Sequence, residues 1–295
     1  GPGALFALHG AWLAAMALWL SVLLPTARLV RVTDPLTWRA VLARHAAIYR
    51  SPALSAPALG WLCYTLTFVS LLTLLPGVME PSSPGWLLGA LPLTSITAWE
   101  CLYDHLRVTA DTTGTLLVVS AAGGVGSMVL QLGRRTGLTL VGTASRTESA
   151  DWARQMGAHA VADHHDLVGT VREVAPDGVQ YVFSPVSAGN VEAYAELMTP
   201  RGIVVAVDEP EGLDTLPLKT KSQAWHWELM FTRPLSEPGS TVQREILDEV
   251  SRLVDAGELR TTETRRLQGL TAATLREAHR LIESGGTVGK IVVER

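Results

Sequence analysis

The sequence predicts an α/β fold in which helices cover both faces of an open, doubly wound parallel sheet. An apolar run at residues 116–119 ends abruptly in small residues, and a helix-compatible segment at 127–135 follows at once. Further short apolar runs then alternate with helix-compatible segments as far as residue 207. Because successive strand-helix-strand units connect by right-handed crossovers, this alternation predicts parallel strands with helices on both faces.

The individual elements are predicted from the same alternation. A turn and a helix over residues 91–102 come first. Strands are predicted at residues 116–120, 138–144, 160–162, 179–183 and 203–207, and two more at 261–267 and 290–294. Helices are predicted at about residues 127–136, 148–156, 167–174 and 191–198. Gly157, directly after the second of these helices, is a suitable C-terminal cap.

The turn after the first long strand is a candidate ligand site. The residues predicted to line it are Ala122, Gly123, Gly124, Val125 and Gly126. Such a turn lets the backbone approach the pyrophosphate of a dinucleotide, which then binds the amides and the positive end of the helix. Ala121 occupies the position of the first glycine of the usual pattern, which is tolerable if its φ stays negative. An ordinary strand-to-helix turn is the alternative.

The end of the next strand indicates which dinucleotide would bind. It carries Ser145, Arg146 and Thr147, and no Asp or Glu. An acid at this point would bind the ribose hydroxyl of NAD, whereas an arginine beside hydroxyl groups suits the 2′-phosphate of NADPH. The sequence therefore favours NADPH, with Ser145 and Arg146 as its ligands. A solvated surface arginine is the alternative for Arg146.

Composition excludes several other kinds of function. The net charge of −4 gives no reason to expect nucleic acid as a partner. Cys63 and Cys101 are far apart and form neither a metal-ligand pattern nor a disulfide framework. The adjacent His164 and His165 fit a loop after a strand better than a metal site. No metal ligands are expected.

Residues 1–85 differ from the rest of the chain and predict an apolar helical hairpin. Residues 4–24 and 53–75 contain no charge, and each run is long enough to span a membrane. The basic loop between them would stay in the cytoplasm. That topology would export everything after residue 75, although NADPH is a cytoplasmic cofactor. A pair of buried core helices is the alternative.

Several separated motifs resemble the medium-chain dehydrogenase/reductase superfamily over residues 89–295. They are ALPLTSITAWE at 90–100, AAGGVGS at 121–127, TASR at 143–146, WHWELMFTR at 225–233 and GKIVVE at 289–294. The resemblance is to the quinone oxidoreductase and zinc-type alcohol dehydrogenase-like branch. It implies a Rossmann domain at residues 89–235, then at 236–295 a remnant of the GroES-like catalytic domain. Residues 1–85 resemble part of a major facilitator superfamily transporter.

The reductase resemblance also implies an activity and further site residues. It implies hydride transfer from NADPH to a quinone, enone or related carbonyl, in a cytoplasmic enzyme that can form a homodimer. Thr97 would lie near the nicotinamide carboxamide, and Ser184 to Val186 would flank the cofactor. The catalytic residues stay unknown, because Glu100, Asp104 and His105 are candidates only by their nearness to Thr97 in the sequence.

The family's GroES-like catalytic domain would precede the Rossmann domain, and its expected absence determines what is predicted about zinc and activity. The family's catalytic zinc is bound largely by that domain, so no zinc is expected. Half of the substrate cleft would be absent, so the enzyme is expected to be truncated and impaired. One alternative is a transporter fragment fused to a non-catalytic nucleotide-binding domain, with membrane association through residues 4–24 and 53–75. A membrane-tethered nucleotide-binding regulator is another.

Overall fold

A computed structural model of the protein describes residues 91–237 and 239–294. The predicted apolar spans at residues 4–24 and 53–75, and the whole predicted hairpin at 1–85, lie outside these described residues. Within the described part of the chain, no helix combines the length and the apolar character needed to cross a membrane.

A six-stranded parallel sheet forms the centre of the described region. Its strands lie in the order β3-β2-β1-β4-β5-β6. Their bounds are β1 Thr113–Val118, β2 Gly137–Thr143, β3 Ala160–Ala162, β4 Val179–Ser184, β5 Met198–Ala206 and β6 Ala224–Trp227. The chain thus moves outward from β1 to one edge and returns to β4. Ligands of such sheets bind at the carboxyl ends of the strands beside this reversal.

Helices cover both faces of the sheet. Their bounds are α1 Pro92–Trp99, α2 Gly124–Gly133, α3 Thr147–Met156, α4 Leu167–Val174, α5 Val191–Leu197, α6 Thr232–Ser236, α7 Val242–Asp255 and α8 Ala272–Glu283. A π-helical segment, Glu100–His105, continues α1, and short 3₁₀ segments occur at His164–Asp166 and Leu216–Lys221.

The central strand β1 is buried on both faces, which explains its continuous apolar run. Leu116 and Val118 belong to the core on the side of α1, α2, α3 and α7. Leu117 belongs to the opposite core, on the side of α4 and α5. All three side chains have no solvent exposure. Strands covered on both faces are apolar throughout, whereas half-buried strands alternate apolar and polar residues.

The C-terminal residues form a second, two-stranded sheet. Strand β7, Glu263–Gln268, pairs in parallel with β8, Lys290–Glu294, and α8 connects them. Gly289 forms a parallel bridge with Gly123, and its amide donates to the carbonyl oxygen of Ala122 at 2.7 Å. The end of the chain is therefore attached to the turn that follows β1.

The predicted α/β fold is confirmed, with several shifted boundaries, one additional strand, and three additional helices, α6, α7 and α8, that were not predicted from the sequence. Helix α2 begins at Gly124, earlier than predicted, since the glycines of the turn form its first turn. Strand β5 begins at Met198, which the sequence had placed at the end of a helix. Strand β6 was not predicted, because its four residues carry no alternating pattern and lie at a sheet edge. The proposed division at residues 235 and 236 stays a prediction.

Candidate functional site

In the turn between β1 and α2, the residue with a left-handed backbone conformation is Ser120. Ser120 has a φ of 53°, in the left-handed region, whereas Ala121 is outside it. The expectation that alanine is tolerable at this position is therefore confirmed. The methyl group of Ala121 is fully buried against Gly142 of β2, where a Cβ would lie 2.8 Å from that of Ala121.

Gly126 allows α2 to begin in direct contact with the end of β1. A Cβ at this position would lie 2.5 Å from the carbonyl oxygen of Ser120 and 3.0 Å from the Cα of Ala121. These main-chain atoms cannot move aside as a flexible side chain can. Gly126 therefore has the role of the third glycine in dinucleotide-binding turns, which is close packing of helix on strand.

The amino end of α2 has main-chain donors available for a ligand. Gly123 is the N-cap, and the Ser127 amide is the first to donate within the helix, to the Gly123 carbonyl at 2.9 Å. The preceding amides, those of Gly124, Val125 and Gly126, have no acceptor within the helix. These donors and the positive end of the helix dipole together favour an anion.

The side chain of Lys290 lies over this end of α2. A Cβ on Gly124 would lie 2.2 Å from Lys290 Cε and 3.0 Å from its Nζ, so a side chain at residue 124 would have to displace the lysine from its present position. Burial lowers the pKa of Lys290, and no carboxylate of the described residues offsets this shift. An ammonium group beside the positive end of a helix needs an anion to balance both. A diphosphate fits this arrangement.

The end of β2 contributes the second part of the site. Arg146 is the N-cap residue of α3, and the Ser149 hydroxyl contacts both its amide and its carbonyl. The guanidinium Nη2 of Arg146 donates to the carbonyl oxygen of Gly286 at 2.9 Å. Thr143, at the end of the same strand, accepts from the Ser120 amide at 3.0 Å and so joins this strand end to the turn after β1.

The end of β4 contributes the third part, through a network of hydroxyl groups. Ser184 has no solvent exposure, and its hydroxyl contacts the Tyr194 hydroxyl at 2.9 Å and accepts from the Val186 amide at 3.2 Å. The Tyr194 hydroxyl donates to the Val186 carbonyl, and burial raises the pKa of Tyr194 to about 12. Ser184 therefore fixes the turn that presents the exposed Val186.

These strand ends enclose a cavity of about 600 Å³. Of the residues predicted to bind a cofactor, five line it: Ala122, Gly123, Ser145, Arg146 and Val186. Thr97, Gly124, Val125, Gly126 and Ser184 are not among the lining residues. The lining also includes a turn at residues 284–287, which the sequence did not indicate as part of the site. The paired glycines Gly285 and Gly286 were the available signal.

Comparison with known proteins agrees with this geometry. Residues 156–293 match the family described as zinc-binding dehydrogenase. A zinc-type alcohol dehydrogenase-like protein of Staphylococcus aureus is 36% identical over 217 residues, covering 69% of this chain and 63% of that protein. A solved structure from Rhizobium etli, provisionally named a zinc-dependent alcohol dehydrogenase, has a TM-score of 0.68 and 40% identity, covering 73% of this chain and 65% of its own.

This chain belongs to the medium-chain dehydrogenase/reductase superfamily, in its zinc-type alcohol dehydrogenase-like branch. The superfamily fold is also that of Escherichia coli quinone oxidoreductase, solved with NADPH, at a TM-score of 0.64 and 21% identity. That match covers 73% of this chain and 67% of the other. This chain spans less than two thirds of the length of the staphylococcal relative.

Thr97 and the candidate acids are not among the residues that line the cavity. Thr97 is buried in α1, and its hydroxyl donates to the Leu93 carbonyl at 2.9 Å. Its proposed contact with the nicotinamide stays a prediction. Glu100, Asp104 and His105 lie on the π-helical segment, and none of them is among the lining residues.

The candidate acids join residues after β6 in a largely buried polar cluster. Glu100 Oε1 accepts from Arg233 Nε at 2.8 Å, and Arg233 also pairs with Asp104. His105 Nε2 and Glu228 Oε2 are 2.6 Å apart, and that contact raises the pKa of His105. Burial and contact with Glu228 raise the pKa of Glu100 to about 7. The cluster holds α1 and its continuation against the segment that follows the sheet.

Metal binding is not indicated in the described part of this chain. Residues 91–237 and 239–294 contain no group of three or more His, Cys, Asp or Glu side chains placed to hold a metal ion. Burial raises the pKa of the Cys101 thiol, which has no disulfide partner among the residues that the structure describes. The absence of zinc from the protein stays a prediction.

Proposed function

We propose that this chain binds NADPH in the cavity at the strand ends, and that the protein transfers its hydride to a carbonyl-conjugated acceptor such as a quinone or enone. One observation carries the choice of cofactor. Arg146 and Ser145 line the cavity at the tip of β2, where NAD-dependent relatives of this fold carry an acid. A planar guanidinium can bind two oxygens of a 2′-phosphate at once.

The surroundings of the cavity suit the remaining parts of the dinucleotide. Lys290 and the first amides of α2 lie beside the cavity rather than in its lining, and they suit the diphosphate; the turn at Val186, which does line it, suits the part that follows. When bound, NADPH supplies the hydride. The residues of this chain bind and orient the dinucleotide, so their effect on rate is mainly one of position. We place this activity in the cytoplasm, where NADPH is available, and infer a homodimer formed through a sheet edge.

Replacing Arg146 by Ala tests the choice of cofactor. We expect NADPH affinity to fall about tenfold or more, since hydrogen bonds to a charged group contribute roughly 1.5–3 kcal/mol. NADH lacks the 2′-phosphate and is expected to bind as it does to the wild type. Fluorescence titration with each nucleotide measures both affinities.

Arg154→Ala is the matched control for this test. Arg154 lies on the same helix and is exposed, with an ion pair to Asp151 at 2.9 Å. The substitution removes one positive charge at a residue that does not line the proposed NADPH cavity, so neither affinity should change by more than about twofold. Equal losses for NADPH and NADH in the Arg146 variant would contradict the assignment.

Replacing Lys290 by Met tests the diphosphate end of the site. NADPH and NADH share the diphosphate, so we expect both affinities to fall by about the same factor, roughly fivefold or more. Without a nucleotide, the variant should be at least as stable as the wild type, because a partly buried ammonium beside a positive helix end is removed. Urea unfolding and nucleotide titration measure the two effects, with the exposed Lys219→Met as control. Unchanged affinities would remove Lys290 from the site.

A further inference from the structure

The turn at residues 284–287 contacts Arg146 although the two are far apart in sequence. Arg146 Nη2 donates to the carbonyl oxygen of Gly286 at 2.9 Å, across a separation of 140 residues. Ser284, Gly285, Gly286 and Thr287 line the same cavity as Arg146. The far end of the chain thus contacts the side chain that was assigned to the 2′-phosphate.

Gly286 is suited to this contact by its lack of a side chain. A Cβ at this position would lie 2.9 Å from Arg146 Nη1. The φ of Gly286 is outside the left-handed region, so its backbone conformation does not require glycine. Gly285 differs, since it has a φ of 67° and nothing within 4 Å of an added Cβ. A side chain at residue 286 would therefore have to displace the Arg146 guanidinium.

The turn is held in place by contacts on both sides. The hydroxyls of Ser284 and Thr287 donate to the Leu281 carbonyl at 2.7 and 2.9 Å. On the other side, the Gly289 amide donates to the Ala122 carbonyl at 2.7 Å, next to the turn after β1. The Gly286 carbonyl therefore has a fixed position relative to the rest of the cavity.

A fixed acceptor, the Gly286 carbonyl, lowers the entropy that the exposed Arg146 side chain loses when it binds a phosphate. Arg146 stands at the amino end of α3, where a cation is not stabilised by the helix. Free in solvent, its long side chain would lose rotational freedom on binding a phosphate. The Gly286 carbonyl accepts a hydrogen bond from one amino group of the Arg146 guanidinium. It carries no net charge and so does not compete with a phosphate, and the other N–H groups of the guanidinium stay available to the ligand.

We propose that the turn at residues 284–287 determines cofactor selectivity by holding the Arg146 guanidinium, through the Gly286 carbonyl, in the orientation that binds the 2′-phosphate. This inference rests on the proposed function. Gly286 is a positioning residue in this arrangement, since it acts through Arg146. Selectivity for NADPH then depends on the C-terminal segment as well as on the end of β2.

Gly286→Ala tests the inference. The added methyl must displace the tip of Arg146, which is flexible, so the fold should be retained with an unchanged urea midpoint. We expect the dissociation constant for NADPH to rise about three- to tenfold, as for the loss of one hydrogen bond. The constant for NADH should stay the same. Ile282→Ala, at an exposed side chain on α8 that does not line the cavity, is the control and should leave the ratio of the two constants unchanged.

A double-mutant cycle separates this inference from the proposed function. When Arg146 is already Ala, Gly286→Ala should have no further effect on NADPH affinity. A wild type without preference for NADPH over NADH would contradict the proposed function itself. If Arg146→Ala abolishes the preference while Gly286→Ala leaves it intact, the inference alone is overturned. Equal weakening of both nucleotides by Gly286→Ala, or additive effects in the cycle, would overturn it too.

Discussion

Gly126→Ala is expected to lower the free energy of unfolding by about 1–3 kcal/mol, the usual range for an added methyl group in a tightly packed site. The methyl would meet the Ser120 carbonyl at 2.5 Å and the Cα of Ala121 at 3.0 Å. Both are main-chain atoms of the turn, so relief requires α2 to move away from β1. The preference of alanine for helices, about 1 kcal/mol over glycine, offsets part of this cost.

Movement of α2 would also affect the ligand site. The amides of its first turn would shift with the helix, so NADPH and NADH should both bind more weakly and by a similar factor. This pattern differs from that of Arg146→Ala, which should affect NADPH alone. Urea unfolding and nucleotide titration on the same preparation measure the two effects.

Gly133→Ala is the matched control on the same helix. Its Cβ would lie 3.0 Å from Cδ2 of Leu140, a side-chain atom that can rotate away. The helix preference of alanine should compensate for that contact, so stability should change by less than about 1 kcal/mol. Equal destabilisation by the two substitutions would show that the main-chain contact of Gly126 is not what requires glycine.

The parts of the fold that the sequence predicted are those with a local physical signal. Strands β1 and β4 are buried on both faces and therefore appear as apolar runs. The small residues from Ala121 onward mark the turn, because strand, turn and helix follow one another directly. Strand β6 gave no such signal, since three of its four residues are only half-buried and lie at the edge of the sheet.

The candidate site was predicted as far as topology alone determines it. Parallel strands end at one edge, so Ser145, Arg146 and Val186 were expected beside the glycine turn, and they line the cavity with it. Gly286 and Lys290 were missed, because their contacts with Arg146 and Gly124 depend on where the C-terminal segment lies. The paired glycines Gly285 and Gly286 mark a turn in the sequence, but pattern and spacing do not show which distant residue that turn contacts.

The pKa shifts in the polar cluster around Glu100 predict how the free energy of unfolding changes with pH. The pKa of Glu100 is raised from 4.5 to about 7 by burial and by Glu228, so the folded state holds a proton that the unfolded state has lost. The free energy of unfolding therefore falls as pH rises from about 4.5 through 7. The raised pKa of His105 acts in the same direction, since its stabilising proton is also lost as pH rises.

Glu100→Gln is expected to make the protein more stable than the wild type at pH 8, by on the order of 1–2 kcal/mol, and about equally stable at pH 5. The introduced amide resembles the protonated carboxyl group. Its oxygen can still accept from Arg233, and its NH₂ group can donate to Glu228 Oε1, which is buried without a hydrogen-bond partner among the described residues. Urea unfolding at the two pH values measures the difference.

Glu237→Gln provides the control, because Glu237 also lies near Arg233, at 3.6 Å, but is largely exposed. Removing that charge should change stability by less than about 1 kcal/mol at either pH, as for other exposed ion pairs. Greater stability of the wild type over Glu100→Gln at pH 8 would mean that Glu100 is held as a charged partner of Arg233. Its proton would then have no part in folding, and the fall in stability above pH 5 would have to come from His105.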